Sequence, residues 1–243
     1  MQKASINGFR TVNGKKINQI GKIFNTFNTQ IQILNPASVD AAHIEITKIA
    51  NDESPFGFNT DEFLKIEPEG MEFSVEIDDL LLLKLEDKEY STQYSNNRLY
   101  FIDGEDKFAI KVHAYEMARP KIPDYEPIAK IKVAASKLES ALMRGKTISD
   151  FLVLNNGRLY VKGDDIGFNV LLDKNDTLDR VAVYPMEYLY KISKNIKGDL
   201  TILYDDDYPC LLKWNECGTE FMFMLAPRIE EMSSKEIMDS VRI

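Results

Sequence analysis

The sequence predicts an α+β protein of two similar domains, each built from antiparallel strands with two short helices. Three observations carry that expectation. Most of the 243-residue chain alternates apolar and polar residues with a period of two, the pattern of half-buried strands. Turn residues separate the alternating runs: "DGED" (103–106) and "NNG" (155–157) offer Gly and Asn where hairpins need unusual backbone angles. A helical pattern followed by three strands occurs twice, roughly 110 residues apart.

Taken in order, Lys15 to Phe27 carries Ile17, Ile20 and Phe24 on one side of a helix, although Gly21 and several Asn weaken it. After "FSVEI" (73–77), Asp78 suits an N-cap, and the helix continues through Leu80 to Lys84. Strands at 90–94, 98–103 and 107–115 follow. In the second half, Ala135 to Arg144 sets Leu138, Ala141 and Leu142 on one side, and strands at 158–163 and 167–172 come next. "RVAVY" (180–184) then leads into Pro185, suited to a first helical turn, with Met186, Leu189 and Ile196 on one face. Strands at 199–204, 210–214 and 219–225 close the repeat. Matching Val75-Glu76-Ile77 to Val181-Ala182-Val183 aligns the two copies.

Three prolines in "EMARPKIPDYEP" (116–127) suit an extended crossover. The expected division is therefore a domain over 1–115, a linker over 116–127, a second domain over 128–231 and a tail over 232–243. The tail opens with Ser233 and Glu236 at capping-box spacing, and Ile237, Met238 and Val241 follow on one side. Either a short extra helix or a disordered segment fits this pattern.

With 44% apolar residues the chain can bury a sizeable core. It begins with no secretory signal pattern and holds no apolar run long enough to cross a bilayer, which implies an intracellular protein, cytoplasmic in a prokaryote and nuclear in a eukaryote. Cys210 and Cys217, without a second pair or a flanking His, read as reduced thiols rather than a disulfide or zinc site. A formal charge of −9 argues against a nucleic-acid partner unless Lys and Arg are locally concentrated. "YDDDYP" (204–209) offers three consecutive carboxylates, but extended neighbours point to alternate sides and no second acidic cluster accompanies them. A hairpin turn explains the run more simply than metal chemistry. No catalytic residue, metal or cofactor is assigned.

"LAPRIEE" (225–231), "SVDAAHIEI" (38–46) and "YPMEYLYKISK" followed by "GDLTILYDDDYPCLLKW" resemble the corresponding stretches of the sliding clamps of the proliferating cell nuclear antigen (PCNA) type, most closely the archaeal members. The resemblance covers residues 38–49, 73–85 and 107–231. It implies the DNA clamp fold: a ring of three subunits whose strands form an outer layer and whose helices line a hole around duplex DNA. The implied function is that of a non-enzymatic processivity factor that tethers polymerase, nuclease and ligase through short peptide motifs and is placed on DNA by a clamp loader. Two alternatives are one subunit of a heterotrimer and a viral processivity factor that forms no ring.

The same resemblance implies site residues. Lys15, Lys22, Lys84, Lys88, Lys137, Arg144, Lys191 and Lys194 would face DNA; their spacing equally fits the solvated faces of amphipathic helices. The strand over 107–115 would pair with 165–172 of the next subunit, making Phe108, Ile110, Phe168 and Val170 interface candidates, which alternation alone would also allow as core. Val39, His43, Pro209, Met224, Ala226 and Pro227, with Tyr115, Met117 and Ile122 of the linker, would enclose the peptide-docking pocket. His43 is then a pocket wall and not a base.

Overall fold

The computed structural model describes residues 10–25, 31–34, 43–46, 56–59, 72–75, 77–111, 127–216, 219–228 and 232–242. The chain divides into two compact units, Met1–Lys121 with Cys217–Glu220, and Ile122–Glu216 with Phe221–Ile243.

The first unit runs β1 (Arg10–Asn13), α1 (Gly14–Asn25), β2 (Ile31–Leu34), β3 (His43–Ile46), β4 (Phe56–Asn59), β5 (Glu72–Val75), α2 (Ile77–Leu82), β6 (Glu89–Ser95), β7 (Arg98–Asp103) and β8 (Asp106–Lys111). Its main sheet has the order β1-β6-β7-β8, and β2 pairs with β5, β3 with β4, all antiparallel. Asn96 and Asn97 turn the β6–β7 hairpin with φ of 53° and 56°, the left-handed pair that matches the twist of two-residue hairpins. Ile17, Leu80, Leu85, Tyr90, Leu99, Phe101 and Ile110 are buried. Gly21 has a packing reason for its place in α1. A Cβ there would stand 2.9 Å from Leu81 Cδ2, so the missing side chain lets the helices approach. Asp78 lies inside α2 and not at its N-cap, because the helix starts at Ile77. Lys84, with φ of 48°, ends the helical path, and the last turn tightens through Leu83 N–H to Leu80 O and Lys84 N–H to Leu81 O.

The second unit runs β9 (Ala129–Ala134), α3 (Ala135–Gly145), β10 (Phe151–Asn155), β11 (Arg158–Lys162), β12 (Gly167–Leu171), β13 (Ala182–Pro185), α4 (Met186–Ser193), β14 (Asp199–Tyr204), β15 (Cys210–Glu216), β16 (Thr219–Leu225) and α5 (Ser234–Val241). One sheet is ordered β12-β11-β10-β13; in the other, β9, β14, β15 and β16 are successive neighbours. Strict alternation buries Leu200, Ile202 and Tyr204 of β14 and Cys210, Leu212 and Trp214 of β15. Trp214 stacks on Phe221 of β16 with centroids 5.1 Å apart, an arrangement worth about 1 kcal/mol beyond its buried area. α3 buries Ala135, Leu138, Ala141, Leu142 and Gly145 along one stripe. α4 buries Met186, Leu189 and Ile192 and packs against α3. A Cβ at Gly145 would lie 2.8 Å from Met186 Sδ, so glycine again sets the spacing of a helix pair. Pro185 caps α4 from outside its first turn.

In the second unit two strands, β9 and β10, are absent from the expected pattern although both belong to the sheets, as β1 to β4 are in the first, and the tail forms a third helix of the second unit. The expected linker, 116–127, lies outside the described residues except for Pro127.

Candidate functional site

The cations of the first unit sit at the ends of its helix pair. Lys15 and Lys22 are exposed on α1, opposite the buried Ile17 and Gly21. Lys15 Nζ approaches Asp87 Oδ2 at 2.9 Å, with 63% and 59% of the two side chains exposed. Hydrogen bonds from Lys15 and Asn13 hold the Asp87 carboxyl below the ordinary aspartate range. An ion pair this exposed contributes little to stability, and an incoming phosphate can compete for the ammonium. Lys84 is exposed just past α2. Lys88 differs: Asp103 Oδ2 at 2.6 Å and Glu86 Oε2 at 3.1 Å hold its ammonium, and these hydrogen bonds push its pKa up. Of the cations expected to face DNA, Lys88 is held by two carboxylates.

In the second unit Lys137 and Arg144 are exposed on α3, away from its buried stripe. Lys137 Nζ donates to the Leu172 carbonyl at 3.3 Å. Lys191 bridges Glu187 one turn earlier on α4, and Lys194 follows the helix as its C-cap. Tyr190 gathers two ammonium groups, Lys146 at 4.2 Å and Lys194 at 5.3 Å from the ring centroid. Such arrangements orient a lysine while leaving its head in water. Lys146 is not among the cations expected from sequence because it lies just beyond the last helical turn, and its meeting with Tyr190 depends on α3–α4 packing.

Each unit also ends a sheet in a strand with one partner. β8 pairs with β7, and β12 pairs with β11; both are terminal in the sheet order among the described residues. Phe108 lies opposite Phe101, and Ile110 opposite Leu99; Phe168 lies opposite Val161, and Val170 opposite Leu159. All four candidates therefore share a sheet face with buried core residues. Ile110 is itself buried, whereas Phe108, Phe168 and Val170 stay half-exposed. Phe108 meets Tyr90 edge to face, centroids 5.9 Å apart.

Of the pocket candidates, Val39, Tyr115, Met117 and Ile122 lie outside the described residues. His43 opens β3, in register with Asn59. Pro209 is half-buried just before β15, and the preceding Tyr208 carbonyl accepts from the Tyr184 hydroxyl at 2.8 Å. Met224 is buried, and Ala226 and Pro227 are partly exposed beyond β16. Pro227 has no N–H to extend a ladder. The next residue supplies one instead: Arg228 N–H donates to the Val183 carbonyl at 2.8 Å, and its guanidinium lies 4.0 Å from the Phe151 ring centroid. The departing chain is thus fastened to β13 of its own unit.

The "YDDDYP" carboxylates are turn residues. Arg180 reaches Asp205 Oδ1 at 3.3 Å and Asp206 Oδ2 at 3.0 Å, Asp206 also accepts from Val181 N–H, and Asp207 takes φ of 53°. Among the described residues no cluster of His, Cys, Asp and Glu is placed to hold a metal ion. None of the described helices is long and apolar enough to cross a membrane.

A helix pair beside antiparallel sheets, built twice in one chain, is the architecture of the PCNA-type sliding clamps, and the chain has that fold. It superposes on the A. fulgidus PCNA of the structure described as "C-terminal region of FEN-1 bound to A. fulgidus PCNA", with a TM-score of 0.77 and 17% identity over 92% of this chain and 99% of that one. Against the PCNA2–PCNA3 complex of Sulfolobus tokodaii the TM-score is 0.71, with 18% identity over 92% and 100% of the two chains. In sequence the chain is similar to the archaeal DNA polymerase sliding clamp of Methanococcus maripaludis (strain S2), 26% identical over 142 residues. That match spans 51% of this chain and 57% of the relative, little more than half of each. No family model matches.

Proposed function

We propose that the chain is a sliding clamp and processivity factor that encircles duplex DNA and tethers polymerase and other replication and repair proteins. The observation that carries this reading is the repeated placement of exposed cations on helices whose other faces are buried: Lys15 and Lys22 on α1, Lys137 and Arg144 on α3 and Lys191 on α4, with Lys194 at its C-cap. Cations of this kind neutralise phosphates without reading bases, so they position a duplex and let it slide. The net charge of −9 then belongs chiefly to surfaces away from the DNA, and the local cations decide binding.

Ring closure on this reading uses β8 of one copy and β12 of the next. An edge strand offers a row of amide and carbonyl groups, and an interface between two different edges closes a ring when the rotation per subunit is right. Phe108, Phe168 and Val170, half-exposed at those edges, supply the apolar part. The domains meet in the 116–127 linker, and Val39, His43, Tyr115, Met117, Ile122, Pro209, Met224, Ala226 and Pro227 enclose the pocket for a short helical turn of a client. The A. fulgidus PCNA described with the C-terminal region of FEN-1 bound supports the tethering of clients through short segments. The protein acts inside the cell and carries out no catalysis of its own.

Primer extension with the cognate polymerase and clamp loader tests the function: the number of nucleotides added per binding event rises with the clamp, and no rise overturns the reading. Light scattering tests the assembly. A mass near three times that of the chain supports a self-sufficient ring. A chain that stays monomeric alone favours membership of a heteromeric ring, the arrangement suggested by the PCNA2–PCNA3 relative.

A further inference from the structure

The sheet β12-β11-β10-β13 is apolar on its inner face and, along β10 and β13, on its outer face as well, whereas the outer positions of β11 and β12 include Arg158, Lys162 and Asn169. Leu152, Leu154, Leu159, Val161, Ala182 and Tyr184 are buried on the inner face. On the outer, Tyr160, Val153 and Val183 stand opposite one another across three strands, bordered by Phe151 and Val181. A sheet face turned to water normally carries polar residues. Here α5 lies over it: Ile237 and Met238 are buried against Val153, Val181 and Val183, and Val241, one turn on, is packed at the margin. A capping box starts the helix, with Ser233 Oγ accepting from Glu236 N–H and Glu236 Oε2 accepting from Ser233 N–H at 2.8 Å.

An eight-residue helix is too short to persist alone in water, so α5 exists where the sheet holds it. Its hold rests on two buried side chains and one partly buried. We propose that this outer face is a second protein-docking surface, for which α5 is the ligand in cis. Its occupant in trans is an amphipathic helix of α5's own chemistry, with aliphatic or thioether side chains at i, i+1 and i+4 behind a Ser-x-x-Glu cap, presented by a partner protein. Helix-on-apolar-face recognition needs only such anchors, and the seated α5 defines their spacing. The surface adjoins the chain that leaves β16, where Arg228 bonds to Val183 and lies over Phe151, and it does not depend on ring formation.

A labelled synthetic peptide of residues 232–243 is the probe, and full-length protein is the target. Met238→Asp in the protein expels the tethered copy, so the peptide is expected to bind this variant at least ~10-fold more tightly than wild type, where the cis helix competes at high effective concentration. Val183→Asp abolishes binding to both. Absence of binding to a Met238→Asp protein with native circular dichroism overturns the proposal, as does binding that survives Val183→Asp. Hydrogen exchange on the wild-type protein gives an independent reading that needs no variant. The α5 amides are expected to exchange at least ~100-fold faster than those of β10 and β13, by local opening. Equal protection would make α5 a permanent part of the unit and refute the idea.

Discussion

The Tyr204 hydroxyl donates to Asp176 Oδ2 across 2.8 Å in the interior of the second unit. The same oxygen accepts from Gly157 N–H at 3.0 Å, so one carboxylate joins β14 to the β10–β11 turn. Asp176→Ala takes the carboxylate acceptor from a buried hydroxyl and from an amide and is expected to destabilise by about 3 kcal/mol; Tyr204→Phe leaves the carboxylate its other donor and costs about 1 kcal/mol. Both are read from denaturant midpoints.

The same hydrogen bond sets a dependence on alkaline pH. Burial, then the bond to Asp176, raises the Tyr204 phenol far above its ordinary value of 10.0. The unfolded chain therefore loses this proton first, and stability falls as pH climbs past that value. Tyr204→Phe should flatten the slope. Part of it remains, because burial also raises the Cys210 thiol.

Two glycines with left-handed backbones should respond differently to alanine. At Gly157, φ is +66° and a Cβ would fall 1.9 Å from the Asp173 carbonyl oxygen; at Gly104, φ is +58° with nothing within 4 Å. Gly104→Ala carries the conformational cost alone, about 1–2 kcal/mol. Gly157→Ala adds a clash with backbone, and we expect at least ~3 kcal/mol in chemical denaturation.

Charge reversal of Lys137, Arg144 and Lys194 together should weaken duplex binding and lower the slope of log K against log salt by roughly 0.9 for each phosphate no longer neutralised. Lys88→Ala serves as the contrast. Its ammonium is already held by Asp103 and Glu86, so the slope should stay within error of wild type in fluorescence titrations.

Phe168→Asp tests the β12 edge. The ring is half-exposed, so the unit folds, while a carboxylate buried between subunits lacks a partner. Light scattering should record at least a ~10-fold rise in the concentration needed for assembly. Unchanged assembly would remove this strand from the interface.

The helices are legible in the sequence because their apolar stripes are periodic and their caps local, as Ser233 and Glu236 illustrate. β9 is equally legible in principle: "AKIKVA" alternates strictly, with Ala129, Ile131 and Val133 buried, yet the proline-rich stretch beside it masks the pattern. The candidate cations can be chosen from spacing, but their partners cannot. Lys88 meets Asp103 only because β6 and β7 bring them together, and Lys146 meets Tyr190 only through packing of two helices. Phe108 and Phe168 show the remaining limit. Alternation assigns them a sheet face, and only strand order reveals that this face runs out to an edge.

That edge has a cost during synthesis. On the proposed ring, β8 is a template for any extended chain until the next copy pairs with it, and its inner side carries Phe108 and Ile110. Lys107 and Lys111 are exposed on its outer side, with Lys107 Nζ lying 4.0 Å from the Tyr100 ring centroid. Lysines so placed act as gatekeepers, hindering indiscriminate strand addition while a newly made chain waits for company. They are therefore residues whose loss would first be felt as aggregation, before any defect on DNA could be measured.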